Sequence, residues 1–515
     1  MPASGPGPGS ASDARRAARF VVGLILVTTA LRLLLASWLG LSVDECYTVV
    51  MGRRLSLGYF DHPPMMYWLA GLASRLAQSE APWVVRAPFT VLFAGTTWLV
   101  FRLGCRLFGP RAGALSALLL NLALFFTVCA GGWVLPDGPL LFFSAAAALC
   151  FARAVPCPRG HGLLPWLGFG VFGGLALLSK YHAVFLLGGA GLHLLLAPAA
   201  RHWLRRREPW LAVLAIVAVF SPVVVWNARN DWASFRFQGG RASVLTEAQS
   251  SPLLDSIGGQ ALWTTPWIWI PVLGALWGAV RRAGRDDRRL LLVCLGFPPI
   301  LFFTGLSAFG VRGLAHWPMP GYLFLLPLLA SSLNERLKEG EPWARRWLVG
   351  SAIASLLLVV GLAIHARNGW ISDLAPRLLS RGDPTHDLIP WEALREPLAR
   401  WGQPAPGLLV AGSRWSEAAR LAHLLGAGVP VTSLAEDPRG FRFLTPESEQ
   451  FGRDLLLITS RRDRVHEPMV AYAPYFERIR ALGIVPIRRG QRVEFLLSVY
   501  IAERLRVPIP ENRRR

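Results

Sequence analysis

The sequence predicts an all-α polytopic membrane protein of about eleven transmembrane helices (range about 10–13), followed by a C-terminal α/β domain on the outer face. Three observations predict it. Apolar residues make up 53% of the 515 and charged residues only 17%, with a mean hydropathy of +0.39, less charge than a soluble domain carries. Apolar runs of membrane length recur along residues 20 to 366, and arginines crowd into alternate connections between them. Beyond residue 366 the long runs stop and short, strand-like ones replace them.

Residues 1–19 are mostly Gly, Pro, Ser and Ala, with Arg15, Arg16 and Arg19, and read as a disordered cytoplasmic N-terminus. The first apolar run is too long for a signal-peptide core and lacks a small-residue cleavage site, so it reads as a retained helix. Spans fall at about 20–41, 84–103, 112–131, 138–155, 163–179, 183–199, 210–226, 263–280, 289–307, 315–333 and 347–365, since a helical span takes roughly 20 residues. Short loops rich in Lys and Arg stay cytoplasmic. With the N-terminus inside, every inside loop is basic, as at Arg205-Arg206-Arg207 and Arg281-Arg282. The unusual polar residues then share the outer side: the first outer loop, 42–82, with Asp44, Glu45 and Gly58-Tyr59-Phe60-Asp61-His62-Pro63-Pro64; Asp137; Lys180 with Tyr181 and His182; Asn227 to Gln260, including Arg241; and Arg312 to His316.

Charged residues held at a membrane surface are costly and usually functional. A transporter needs polar groups near the midplane and often shows repeats with broken helices; here they gather at one mouth, no internal repeat is evident, and the reading places no charge at the centre of a span. The pattern favours an enzyme at the outer interface over the alternative, a lipid or glycan transporter or flippase. The net charge of +22 is accounted for by topology and by attraction to anionic membrane lipids; no basic stripe with interleaved aromatics points to nucleic acid. Gly168-Phe169-Gly170-Val171-Phe172-Gly173 matches a dinucleotide fingerprint, but lies inside an apolar span with no preceding strand, so it reads as close helix packing. Six cysteines give no disulfide framework.

Within the outer loop, Cys46 to Leu57 can form a short helix stopped by Gly58. Pro63-Pro64 can open a second, with Met65, Met66, Trp68, Leu69, Leu72 and Leu76 on its apolar face. Lysine occurs only at Lys180 and Lys338 among 54 basic residues. Lys180 ends the fifth span, either as a snorkelling end residue or as a compact cation for a phosphate oxygen. Asp137 opens the fourth span, either as an acid favoured by the helix dipole or as a site carboxylate. For Asp44 the competing structural role is a helix N-cap.

Asp44-Glu45 after the first span, the Gly58 to Pro64 string, Pro136-Asp137-Gly138-Pro139-Leu140, Leu178-Ser179-Lys180-Tyr181 and Ser221-Pro222-Val223-Val224-Val225-Trp226-Asn227 together resemble the GT-C class of membrane glycosyltransferases. The nearest branch holds the bacterial lipid A galacturonosyltransferases and aminoarabinose transferase, with protein O-mannosyltransferases more distant; the likeness covers roughly residues 20 to 370. The resemblance implies an inverting glycosyltransferase of the bacterial inner membrane, with its site on the periplasmic face. The donor would be a polyprenyl-phosphate-linked sugar and the acceptor an envelope lipid such as lipid A, a glycan or a protein. It implies Asp44 as base on the acceptor hydroxyl, with Glu45 and Asp137 as further site carboxylates, and Lys180 on the donor phosphate. Arg241, Arg312 and His316 join Lys180 by location alone. Tyr59, Asp61, His62 and Tyr181 would position the sugar. Relatives associate the position of Asp61 with a metal, so a divalent metal ion held by Asp61 and His62 is a further expectation, one that needs a third ligand from elsewhere.

The expected organisation is therefore a catalytic module over 20–366, an outer α/β domain over 367–505 and a basic tail, 506–515. In the outer domain Gly407 to Ala411, Val429 to Thr432, Asp454 to Thr459 and Val493 to Tyr500 read as strands, and Trp415 to Leu425 as an amphipathic helix.

Overall fold

A computed structural model describes residues 8–156, 162–241, 251–311, 313–379, 382–460 and 472–507. The chain divides into two compact units. The first comprises Met1–Leu34, Ser56–Met66 and Arg86–Val359, the second Leu35–Leu55, Tyr67–Val85 and Val360–Arg515.

Among the described residues fifteen α-helices precede the C-terminal region: α1 (Pro8–Trp38), α2 (Val43–Gly52), α3 (Met65–Ala77), α4 (Pro82–Phe108), α5 (Pro110–Leu122), α6 (Asp137–Ala154), α7 (Leu163–Ser179), α8 (Val184–Leu196), α9 (Arg207–Arg229), α10 (Ala233–Arg241), α11 (Pro252–Thr264), α12 (Pro266–Arg282), α13 (Asp287–Ala308), α14 (Met319–Lys338) and α15 (Pro342–Asn368). Each predicted span falls on one of α1, α4–α9 or α12–α15. Among the described residues six helices are long and apolar enough to cross a membrane, or up to seven if the bent pair Tyr181–Leu196 and Pro198–Arg205 counts as one span. The other predicted spans lie on helices that are shorter, interrupted or more polar, such as the 13-residue α5, which a π-helical stretch, Phe125–Ala130, continues. Residues such as Leu34, Leu214 and Leu357 lie exposed on α1, α9 and α15, surface that suits lipid and not water. The protein is a multi-pass membrane protein.

Two expectations change. The segment 8–19, read as disordered, is helical, because Ala14 to Arg19 are good helix formers and Asp13 pairs with Arg111 at 3.3 Å. The spans are also not free of internal charge: Arg32 lies inside α1, buried. Its guanidinium donates to the Thr127 carbonyl at 3.1 Å and to Asn121 Oδ1 at 2.9 Å, and lies 4.5 Å from the Phe93 ring centroid. Buried charge is tolerated only with such bonds.

The core of the first unit is an apolar cluster drawn from α4–α9 and α12–α14. The fingerprint-like glycines serve that packing: a Cβ on Gly170 would come within 2.5 Å of the Ala212 carbonyl of α9.

In the second unit α2 and α3 share the fold with the C-terminal residues. There α16 (Trp370–Leu374), α17 (Arg395–Arg400), α18 (Trp415–Leu425) and α19 (Phe441–Leu444) accompany five strands: β1 (Leu409–Gly412), β2 (Val431–Ser433), β3 (Leu455–Ser460), β4 (Phe476–Arg489) and β5 (Arg492–Leu505). The sheet order is β2-β1-β3-β5-β4. β1 pairs in parallel with β2 and β3, while β5 pairs antiparallel with β3 and β4. The strand the sequence reading missed, β4, is, with β2, one of the two edge strands. Its Arg478, Arg480 and Arg488, a register shift at Ala481/Gly483 and Pro486 are features that blunt sheet edges and blur hydropathic alternation. The tail from residue 508 lies outside the described residues.

A buried charge network ties the end of α15 to this sheet. Arg489 donates to Asp383 Oδ2 at 2.7 Å, Glu494 Oε1 at 2.8 Å and Thr385 Oγ1 at 2.8 Å. The Ile371 N–H donates to His365 Nδ1 at 3.1 Å, so the ring proton sits on Nε2, 3.1 Å from Asp383 Oδ2. Burial alone would raise the Asp383 carboxyl, but the bonds from Thr385 and Arg489 outweigh it and hold it well below the usual carboxylate range. A carboxyl with a depressed folded pKa contributes stability that is present above its unfolded value, about 4, and lost as pH falls below it. Thermal unfolding of the detergent-solubilised protein should therefore fall steeply below about pH 4. Asp383→Asn should lower Tm at pH 7 and flatten that acid dependence; an unchanged pH profile would refute the assignment.

Candidate active site

The outer loop enters α2 through a capping box. The Glu45 N–H donates to Ser42 Oγ at 3.3 Å and the Ser42 N–H to Glu45 Oε2 at 2.8 Å. Ser42, and not Asp44, is thus the N-cap, and the fully buried Glu45 is engaged in closing the helix. Asp44 is the exposed residue of an otherwise buried helix. The helix ends at Gly52 instead of running to Leu57. Tyr47 anchors it: the Gly440 N–H donates to the Tyr47 hydroxyl at 3.0 Å, and the ring lies 5.5 Å from Trp415. At the far end Arg53 forks onto Glu80, with Nε and Nη2 each 2.7 Å from a carboxylate oxygen.

The first unit holds the other candidates. Pro136 and Asp137 open α6, and α7 ends at Ser179, turning Lys180 into extended backbone. These two helix ends bring together residues 43 apart: Lys180 Nζ lies 2.9 Å from both Asp137 oxygens. The side chains are 4% and 3% exposed. Such a pair persists only with good geometry, because desolvation of each charge costs several kcal/mol. Neither competing role suffices. Lys180 does not snorkel, and Asp137 is more than a dipole-favoured acid.

His62 and His316 lie within electrostatic reach of the Asp137 carboxylate, and His316 stacks on Phe125 with centroids 6.1 Å apart. The Tyr181 hydroxyl is 2.8 Å from Ser234 Oγ and within electrostatic reach of Asp61. Gly58 packs so tightly on Trp226 that a Cβ would come within 2.9 Å of it. The Asp61 carbonyl accepts from Gln238, and Phe60 meets Phe237 at 4.7 Å. The Gly58 to Pro64 string therefore packs as one element with the end of α9 and with α10. Tyr59 is buried, and its hydroxyl accepts from the Ser56 N–H at 3.1 Å, which holds the loop. Arg241 ends α10 with its side chain outside the described part, and Arg312 lies outside the described residues. Among the described residues no group of three or more His, Cys, Asp and Glu forms a metal donor set. Among the described residues, Asp61 and His62 thus have no third ligand of the kind their metal role requires.

Ser234 and Asn227 escaped the sequence reading as site neighbours. Asn227 was visible within its motif; its side chain donates to Val223 O at 3.0 Å and accepts from the Phe235 N–H at 3.3 Å.

The family model described as "Dolichyl-phosphate-mannose-protein mannosyltransferase" matches residues 61–226, a stretch that includes Asp61, His62, Asp137, Lys180 and Tyr181. Lipid A galacturonosyltransferase RgtD of Rhizobium johnstonii is 31% identical over 324 residues, covering 61% of this chain and 64% of that protein. The chain thus spans less than two thirds of that relative. Undecaprenyl phosphate-alpha-4-amino-4-deoxy-L-arabinose arabinosyl transferase 2 of Sodalis glossinidius is 28% identical over 132 residues, 25% of this chain and 24% of that one. Crystal structures of ArnT from Cupriavidus metallidurans, in the apo state and bound to undecaprenyl phosphate, superpose with TM-scores of 0.64 and 0.63 at 16% identity, covering 93% of this chain and 97% of ArnT. The chain has the GT-C fold.

Removing one partner of a buried pair leaves an uncompensated charge, at a cost of about 3–5 kcal/mol. Asp137→Asn and Lys180→Met should each lower Tm substantially, and the double variant should lose less than the sum. Additive losses in thermal unfolding would show that the two side chains do not act as a unit.

Proposed function

We propose that this protein is an inverting glycosyltransferase that moves a sugar from a polyprenyl-phosphate donor to a hydroxyl of an envelope acceptor, with lipid A or another envelope lipid or glycan favoured over protein. The observation that carries the reading is the buried Lys180–Asp137 pair within the stretch matched by the mannosyltransferase family. The names of RgtD and the Sodalis transferase support the reaction class, and ArnT with undecaprenyl phosphate supports the donor class.

In this reading the acceptor oxygen attacks the anomeric carbon, its proton passes to Asp44, and the sugar–phosphate bond breaks with inversion. Asp44 suits a base because it is the exposed carboxylate of a rigidly capped helix. The departing lipid phosphate gains negative charge, which Lys180 offsets from a position fixed before the reaction. Arg241, Arg312 and His316 serve the same phosphate. Asp137 keeps Lys180 placed and charged until the phosphate arrives. Asp61, His62, Tyr59 and Tyr181 orient the sugar, and Glu45 acts through the cap that sets Asp44.

The catalytic module is residues 20–366, and residues 367–505 form an outer domain that helps select the acceptor. The basic inside loops support placement in the bacterial inner membrane with Asp44 and this domain on the periplasmic face.

The test is reconstitution with extracted polyprenyl-phosphate sugars and total envelope lipids, with products identified by mass. Wild type should yield a glycosylated lipid, and Asp44→Asn should lower turnover by about 10³-fold, within the usual range for a general base. A variant that keeps most of its turnover removes the base assignment, and no product from any envelope acceptor removes the transferase reading.

A further inference from the structure

The second unit contains a cleft of about 340 Å³ lined by Arg53, Ser74, Arg75, Gln78, Ser79 and Glu80, among others, at the lower end of the range for small-ligand sites. Its two arginines are not equivalent. Arg53 is neutralised by Glu80 and further fixed by donating to the Ala422 carbonyl at 2.9 Å. Arg75 donates to the Arg53 carbonyl at 2.8 Å and meets no carboxylate among the described residues, so the cleft keeps a net positive charge. Ser74 Oγ is buried and has no hydrogen-bond partner among the described residues, which is costly unless a ligand supplies one.

Beside this polar row, α3 carries a second stripe. Leu72 and Leu76, one helical turn apart, are 47% and 87% exposed. The sequence reading placed them on an apolar face, yet no protein covers them as it covers Met65 and Met66. At the start of α4 Trp83 is also exposed, a residue type enriched at membrane interfaces. A neutral sugar would leave the Arg75 charge unanswered, and a small soluble anion would leave the leucines in water. An amphiphile with an anionic head answers both.

We infer that this cleft binds an anionic lipid, with its phosphate on Arg75 and Ser74 and its chains along Leu72 and Leu76. The site lies on residues given no part in sugar transfer, so it stands or falls separately from that reaction.

The test is native mass spectrometry of the full-length protein released from detergent with phosphatidylglycerol or phosphatidylcholine, repeated with inorganic phosphate as competitor. Arg75→Gln should weaken retention of phosphatidylglycerol about fivefold to tenfold, in line with one basic residue at an anionic surface, and leave phosphatidylcholine unchanged. Ser74→Ala should act in the same direction with an unchanged Tm, since its hydroxyl has no partner to lose, and Leu76→Ser should weaken both lipids. Equal retention of phosphatidylglycerol by wild type and Arg75→Gln would overturn the proposal. Full displacement by millimolar phosphate, with Leu76→Ser indistinguishable from wild type, would overturn the lipid assignment in favour of a free-anion site.

Discussion

The ion pair between Lys180 and Asp137 is the interaction on which the first unit's polar chemistry depends. Two opposite charges sit almost fully buried among apolar helices, each forked onto the other at 2.9 Å. Either alone would be driven to neutralise or to pull the helix end towards water. Together they fix the start of α6 against the end of α7, and Tyr181, the next residue, is set by the same junction. In the proposed reaction this cation would exchange its carboxylate partner for the phosphate of the donor.

The second unit follows the same rule by different means. Some of its charged residues share their bonds in networks: Arg53 with Glu80, half-buried, and Arg489 with Asp383 and Glu494, buried. The result is a stiff mount for α2, on which Ser42 and Glu45 close the N-terminus and leave Asp44 exposed. Where, among the described residues, Arg75 meets no carboxylate and Ser74 Oγ no hydrogen-bond partner, the same helix exposes Leu72 and Leu76.

Hydropathy made the membrane helices legible, since a run of about 20 apolar residues has few other uses. Helix α18 matched its predicted bounds, Trp415–Leu425, because one amphipathic face repeats cleanly along it. Strand β4 did not, because an edge strand bearing arginines lacks alternation. Arg32 was overlooked because one charge barely lowers the hydropathy of a 31-residue helix; its partners, Asn121 and Thr127, are distant in sequence. Asp137 and Lys180 could be chosen individually from their positions at span ends, but their pairing could not, since nothing local links residues 43 apart. The role of Glu45 was hidden for the opposite reason: Ser42-x-x-Glu45 is a capping box in plain sequence, overshadowed by the adjacent carboxylates.

The most direct measurement is the affinity of the purified protein for undecaprenyl phosphate in three forms: wild type, Lys180→Met and Asp137→Asn. If Lys180 trades Asp137 for the lipid phosphate, Lys180→Met binds at least about tenfold more weakly, as loss of a charge-assisted bond requires. Asp137→Asn then also binds more weakly than wild type, because Lys180 loses the carboxylate that holds it in place for the phosphate. Equal affinities in all three forms would contradict the account.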